Sequence, residues 1–498
     1  MIIPRDYQIE SVAAVEKYFI ETTKGNPCIC IPTGGGKSPV AAMLIKRFSG
    51  EYGLRVVVVT HVKELVMQNY DKAVDFWPEG RKEFGVYSAG LRCRDTDEKV
   101  IFGGIQSLYD KAEELGKVNL LIIDEAHRIP LTGTGQYRTL IADLLKINPK
   151  MRVVGLTATP YRLDSGAVCG WTEHHIMNEI IYDVPVKELI ARGYLTKPVS
   201  QPATKADVSA VPVAYKGDYL QEALEAAVSD LALVKIQVND LVRLGENRIR
   251  WAVFCVGIKH AEAVTMQLRG RGVATALLHS KIGSQERDEI VAGYHAGKYR
   301  ALVNVNIASE GFDNDQIDLI ALMRPTMSAG LYYQQCGRGL RVEKVKCQCG
   351  KVSVEMEPVC SGCGSAITRV KQDVRVLDFA GNIGEHGAID KISAGTSYID
   401  EGEEKRTYRM CPECDQENHI RFKVCQYCGY EFPKRDRENT ANPLANLDHP
   451  VISQPHEHDV ERTSYSALGE KLVVHYWCGG IKFTETFDKK DMFQLQNS

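Results

Sequence analysis

The sequence predicts an α/β protein: two parallel-sheet domains in tandem, accompanied by small cysteine-bearing modules. Three observations lead there. Short runs of Val, Ile and Leu alternate with helix-permissive stretches in two separate series; these runs are apolar at consecutive positions; and eight of the fifteen cysteines form four close pairs between residues 347 and 428. A strand with apolar side chains on both faces is buried on both, and strands of that kind are joined by helices that cover a parallel sheet.

The first series holds CICIP (28–32), LRVVVVT (54–60), KVIFGG (99–104), NLLIIDE (119–125) and RVVGLTAT (152–159), each followed by a helix-permissive stretch such as SPVAAMLIKRF. These are the expected strands of a first domain, 1–196. The stretch KPVSQPATKADVSAVPVA (197–214) breaks the alternation and is expected to lie in a linker, 197–224. RWAVFCV (250–256), TALLHS (275–280), RALVNVN (300–306), DLIALM (318–323) and VRVLDFA (374–380) then form the second series. They predict a second domain, 225–400, interrupted by a cysteine insert at 342–373. A further cysteine module is expected at 405–435, and the tail, 436–498, contains KLVVHYW and IKFTETF, which suit a small β unit.

Composition narrows the function. At about 150 residues per domain, 498 residues make roughly three domains. A hydrophobic content of 44% with 25% charged residues excludes disorder as the main state. With 61 basic and 64 acidic residues the formal charge is −3, so no bulk field steers the chain onto nucleic acid or membrane, and any nucleic-acid contact must come from local patches. No apolar run approaches the 18 or so residues of a membrane helix, and MIIPRDYQIE lacks the regions of a signal peptide. A cytoplasmic protein without a membrane partner is expected.

Pro32-Thr33-Gly34-Gly35-Gly36-Lys37-Ser38 follows the first strand and precedes a helix. Glycines allow backbone N–H groups to wrap a phosphate, a lysine neutralises its charge, and a serine hydroxyl ligates Mg2+. The string departs from GxxxxGK[ST] at Ile31. Asp124-Glu125-Ala126-His127 ends another strand, where Asp124 is suited to hold Mg2+ and Glu125 to orient or deprotonate a water. Together the two motifs predict hydrolysis of ATP.

Cys411-x2-Cys414 and Cys425-x2-Cys428, ten residues apart, have the two-knuckle spacing of a zinc ribbon. Cys347-x-Cys349 with Cys360-x2-Cys363 forms a second set, so two Zn2+ sites are expected. Around the second set, residues 341–375 hold seven Lys or Arg against four acids, a solvated face or a DNA-contacting flap.

These motifs, taken in order, resemble the superfamily 2 helicases of DEAH-box type, whose core is two RecA-like domains with ATP in the cleft. The resemblance covers roughly residues 4–390. It implies that Arg5, Tyr7 and Gln8 read adenine, that Thr60, His61 and Lys63 of THVKELVMQ and Gln106 and Ser107 of GGIQSL contact the nucleic-acid backbone, and that Thr157 and Thr159 of TATP couple hydrolysis to movement with His127 and Gln334. FCVGIKHAEAV (254–264) looks like motif IV, and Gly311 and Asp313 of GFD like the ATP-facing part of motif V. QQCGRGLR (334–341) matches motif VI, in which Arg338 and Arg341, three apart on an expected helix, act as arginine fingers. HVKELVMQN, GLTATPYRL, LVNVNIASEGFD, VLDFAGN and the C-terminal cysteine pairs are most similar to the RadD-like DNA helicases of bacteria and phages. That likeness implies single-stranded or branched DNA as partner, a single-strand-binding protein as a second, and a bacterial or phage origin. The alternatives are an RNA helicase, because the core grips backbone, and a non-catalytic zinc-dependent DNA-binding adaptor, which decay at Lys37, Glu125 or the motif VI arginines would mark and which none of them shows.

Overall fold

The computed structural model describes residues 4–391, apart from 131–134, 163–165, 173, 202, 215–217, 306–311, 313, 354–355, 357–358 and 369, together with five strands between 408 and 488. One compact unit contains both α/β domains and a second contains the five later strands.

The first domain is a parallel sheet of β1 (Pro27–Cys30), β2 (Val56–Thr60), β3 (Phe84–Ser88), β4 (Val100–Gly104), β5 (Leu120–Asp124), β6 (Arg152–Thr157) and β7 (Glu179–Asp183). Its order is β7-β1-β6-β5-β2-β4-β3, closed by a two-residue antiparallel edge, Cys93–Arg94. Val56 and Val58 enter one apolar cluster while Val57 and Val59 enter the other, which is why β2 reads as an unbroken apolar run. Strands β3 and β7 escape a reading by apolar runs: FGVYS carries only a few apolar residues beside a glycine, and EIIYD is an edge strand that stays half exposed.

The second domain has six parallel strands, β8 (Pro198–Gln201), β9 (Trp251–Phe254), β10 (Thr275–Leu278), β11 (Ala301–Asn304), β12 (Leu319–Leu322) and β13 (Val374–Asp378), in the order β8-β13-β12-β9-β11-β10. Here the linker reading of 197–224 needs correction. Residues 198–201 pair in parallel with Val374–Leu377, so the second sheet begins inside the stretch that looked irregular. Proline is tolerated at the start of an edge strand, where no ladder bond needs its missing N–H. A helix, Gln221–Val228, straddles the expected end of that linker.

Within the cysteine insert Val345–Lys346 and Val352–Ser353 form a short antiparallel hairpin. In the second unit Tyr408–Met410 pairs with Glu417–His419, and Arg462–Leu468, Lys471–Cys478 and Ile481–Asp488 form an antiparallel meander. Cys411, Cys414, Cys425 and Cys428, like Gly311 and Asp313, lie outside the described residues.

Candidate functional site

Strands β1, β6 and β5 are neighbours, so the loops leaving their C-terminal ends emerge side by side. These are the glycine-rich loop, TAT and DEAH. Ligands in open parallel sheets collect at such strand ends. Gly34 and Gly36 have φ +87° and +95°, values that L side chains rarely adopt, and a Cβ at Gly36 would lie 2.4 Å from Gln8 Nε2. The glycines are therefore required by the loop's path, and the helix Lys37–Ile45 starts directly behind it. A cradle of this form fits a phosphate chain.

Lys37 Nζ lies 3.2 Å from Glu125 Oε1, both side chains being nearly buried at 12% and 13% exposure. Glu125 holds φ +56° and ψ +51°, a left-handed conformation uncommon for a residue with a side chain and of the kind that clusters at active sites. Its backbone N–H donates to Asp124 Oδ1 at 3.0 Å, and Asn69 Nδ2 donates to Asp124 Oδ2 at 3.0 Å. Burial pushes the Asp124 carboxyl up, assisted by Glu125 and opposed by Lys37. Burial acts upward on Glu125 too, but Lys37, then His127 and Arg338, outweigh it and hold that carboxyl down to about 2.

His127 joins the two domains. Gln334 Nε2 lies 3.3 Å from His127 Nε2, and His127 Nδ1 lies 3.1 Å from Thr157 Oγ1 and 3.3 Å from Glu125 Oε2. Thr157 Oγ1 in turn donates to the Thr159 carbonyl at 3.0 Å. With the glutamine amide donating, His127 Nε2 is an acceptor and Nδ1 carries the proton, a tautomer inferred from these partners. Burial holds His127 down to about 4, so the ring is uncharged at neutral pH, as that tautomer requires. One imidazole thus lies within reach of motif VI, the DEAH glutamate and the TAT loop.

Motif VI itself differs from expectation. The helix Ala329–Gly337 ends at Gly337, with Arg338 as its C-cap, so Arg338 and Arg341 do not share a helical face. Close approach requires glycine on both sides of Arg338: a Cβ at Gly337 would sit 2.5 Å from Thr33 Cβ, and one at Gly339 would sit 2.4 Å from Val374 Cγ2. Arg338 is 7% exposed, and its Nη1 donates to the Phe312 carbonyl at 2.8 Å. Arg341 packs its stem near Gly34, whose Cβ would meet Arg341 Cγ at 3.2 Å.

Among the residues expected to read adenine, Gln8 is occupied within the protein. Its Oε1 accepts from Arg5 N–H at 3.0 Å, and its Nε2 lies 3.3 Å from the Gly35 carbonyl. Tyr7 Oη also donates to that carbonyl, and Arg5 stacks on Tyr194 at 4.5 Å. Here the Arg5–Gln8 turn braces the phosphate loop.

The proposed nucleic-acid residues form a looser group. Thr60 is buried, while Lys63 Nζ donates to Ser284 Oγ of the second domain at 3.2 Å, and neighbouring Glu64 pairs with Arg287 at 3.5 Å. Burial and Arg128 hold His61 down to about 4. Ser107 Oγ accepts from Ala89 N–H at 3.0 Å, and Gln106 is exposed.

Cys347, Cys349, Cys360 and Cys363 do converge. Their four sulfurs lie within 4.8 Å of one another, with Cys347–Cys363 at 3.5 Å and Cys349–Cys360 at 3.6 Å. A tetrahedral Zn2+ with Zn–S of about 2.3 Å sets its sulfurs about 3.8 Å apart, so the donor set fits that ion. The CxC half works because each pair closes its own backbone turn: Gly350 N–H donates to the Cys347 carbonyl at 2.8 Å, and Gly364 N–H to the Cys360 carbonyl at 2.7 Å.

Sequence reasoning passed over Asn69, Thr196 and Lys371. Asn69 carried a signal, since it falls with Leu65, Val66 and Ala73 on the buried stripe of Lys63–Phe76. A polar residue on that stripe needs a buried partner, here Asp124. Thr196 and Lys371 had none, because their partners are backbone carbonyls of distant segments.

A family model described as type III restriction enzyme, res subunit, matches residues 1–162, and one described as helicase conserved C-terminal domain matches residues 235–343. The helicase-named protein IRC3 of Saccharomyces cerevisiae is 26% identical over 361 residues; the match covers 69% of this chain and 50% of IRC3, so the chain spans half the length of that relative. XPB2 of Sulfurisphaera tokodaii, named a DNA 3'-5' translocase, is 24% identical over 379 residues, covering 68% of this chain and 78% of its own. The solved fragment of an HsdR subunit assigned to a type I restriction enzyme of Vibrio vulnificus shares the fold, with a TM-score of 0.54 and 17% identity over 76% of this chain and 65% of that one. The two family models fall in chain order on the two RecA-like domains whose facing loops build this site, an arrangement similar to the core of the superfamily 2 helicases.

Proposed function

We propose that this chain is an ATP-dependent DNA helicase or translocase of the RadD-like kind, which hydrolyses ATP to unwind or remodel branched DNA. The observation that supports it most is the continuous path Lys37–Glu125–His127–Gln334, which ties the phosphate loop of one domain to motif VI of the other. The name of the XPB2 relative supports DNA as the substrate class.

In this reading Lys37 has two partners in turn. It rests on Glu125 and moves to phosphate oxygens when ATP enters, which frees Glu125 of its strongest neighbour and restores its basicity. Glu125 then orients the attacking water and accepts its proton. Ser38 and Asp124 hold Mg2+, which shields phosphate charge when bound; Arg338 and Arg341 face the phosphates from the second domain. Thr60, His61, Lys63, Gln106 and Ser107 follow the DNA backbone. Zn2+ binds Cys347, Cys349, Cys360 and Cys363, and a second ion binds Cys411, Cys414, Cys425 and Cys428. We place the protein in the cytoplasm; among the described residues no helix is long and apolar enough to cross a membrane.

The test is ATP hydrolysis by the purified chain with single-stranded DNA, junction DNA and RNA as competing stimulators. Stimulation by DNA above RNA is expected; preference for RNA would replace the substrate, and no hydrolysis at all would remove the enzyme reading. Glu125→Gln should lower the rate by ~10²-fold or more while ATP affinity persists, because it keeps the shape and loses the base. Affinity and rate falling together would make Glu125 a binding residue. For the metal, Cys360→Ser with Cys363→Ser should remove one zinc per chain, and Cys425→Ser with Cys428→Ser another. Structural zinc supplies on the order of 10 kcal/mol of local folding energy, so each pair should unfold its own module. Full metal content in either double variant would rule out that site.

A further inference from the structure

The cysteine insert leaves the second domain just after motif VI and returns at β13, and one residue of the returning stem is buried where exposure would be ordinary. Lys371 is 2% exposed. Its Nζ donates to the Arg341 carbonyl at 2.5 Å and to the Asp315 carbonyl at 3.0 Å. Asp315 lies two residues beyond the GFD of motif V, so a single ammonium links motif VI to the segment that follows motif V. The stem is fixed in turn, because Val370 and Lys371 N–H groups both donate to Glu343 Oε2, at 2.9 and 3.0 Å, and Lys344 N–H donates to Asp315 Oδ2 at 3.0 Å.

The Arg341 carbonyl is held from its other side as well. Thr196 Oγ1 donates to it at 3.1 Å, and Thr196 N–H donates to the Leu340 carbonyl at 2.7 Å. The preceding residue, Leu195, packs where a Cβ on Gly34 of the phosphate loop would meet it at 3.2 Å. Arg341 thus sits between two clasps, one reaching from the phosphate-loop side and one from the cysteine insert.

Burying an ammonium is unfavourable, and burial holds Lys371 down to about 7 against the opposing pull of Asp318 and Asp315. A methionine would fill the same space with no charge to desolvate. What the lysine adds is direction: donors aimed at two carbonyls.

We propose that Lys371 is a positioning residue for Arg341, its buried ammonium clasping the carbonyls of Arg341 and Asp315 so that the motif VI arginine keeps its place against the phosphate loop. The inference rests on the ATPase reading above. It makes the cysteine insert a part of the motor, since the fold of the insert decides where Lys371 stands.

The experiment is a double-mutant cycle on the full chain with DNA present. Lys371→Met is expected to lower kcat by ~10- to 100-fold with KM for ATP changed by no more than ~3-fold, since displacements of about 1 Å around a reacting centre have effects of that size. Zinc content should be unchanged. Combined with Arg341→Ala it should be no slower than Arg341→Ala alone, because a residue acting through Arg341 has nothing left to position. A lowered melting temperature with normal kcat, or a double variant whose losses multiply, would overturn the inference. Lys371→Gln, which keeps an N–H donor in place of the charge, enters the same cycle if Lys371→Met does not fold. Wild-type chain without ATP hydrolysis would defeat the ATPase reading instead, so the two failures are distinguishable.

Discussion

Replacing Arg338 with alanine is expected to lower kcat for ATP hydrolysis by on the order of 10³-fold or more, with KM changed far less. The side chain is buried at 7% exposure, donates to the Phe312 carbonyl, and is close enough to Glu125 for its charge to depress that carboxyl. In the proposed mechanism a guanidinium so placed meets charge that develops on the transferring phosphoryl group and adds little to ground-state binding. Arg338→Lys should rescue poorly, because an ammonium cannot keep the Phe312 contact and reach phosphate at once. Steady-state kinetics with ATP decide it: a loss confined to KM would assign Arg338 to binding and end its role as a finger.

Lys37→Ala is expected to abolish measurable turnover, a loss of ~10²- to 10³-fold or more for one charge aimed at the phosphates. The structure adds a second effect. Lys37 stands in a nearly closed cleft, paired with Glu125, and not on an open loop. Its removal leaves a buried carboxylate with His127 and Arg338 as its remaining favourable neighbours, so the Glu125 carboxyl should rise from about 2 and the fold should lose some stability. The sign follows from linkage. A carboxyl held below its ordinary 4.5 contributes stability that is fully present above that pH and is lost as pH falls toward about 2. Wild type should therefore exceed Lys37→Ala in stability at pH 7, and the difference should shrink between about pH 4.5 and 2. Chemical denaturation across that range measures it; a difference that grows on acidification would contradict the ion pair.

The site was legible where chemistry is contiguous in the chain. The loop 32–38, DEAH at 124–127 and the motif VI string at 334–341 each place several reacting side chains within a few residues, because a loop or strand end must carry them together. The convergence of Cys347 and Cys349 with Cys360 and Cys363 followed from the same logic, two close pairs on two tight turns. Where the structure differed, a contact from elsewhere intervened. Motif VI carries Gly337 and Gly339 because Thr33 and Val374 leave no room there for a Cβ, and Gln8 points its amide at the phosphate loop because Gly35 brings a carbonyl within reach.

Local pattern alone determined the tandem α/β architecture, the strands with uninterrupted apolar runs and the identity of the phosphate and acidic motifs, since burial on two faces and phosphate contact each impose a residue pattern at short range. Only the tertiary structure decided that Pro198–Gln201 opens the second sheet, that Asn69 donates to Asp124, that His127 meets Gln334 of the other domain, and that Lys371 reaches Arg341. Those four depend on strand pairing or on single hydrogen bonds between segments far apart in the chain. A backbone carbonyl is offered by every residue, so an interaction that ends on one leaves no mark in the sequence of its acceptor.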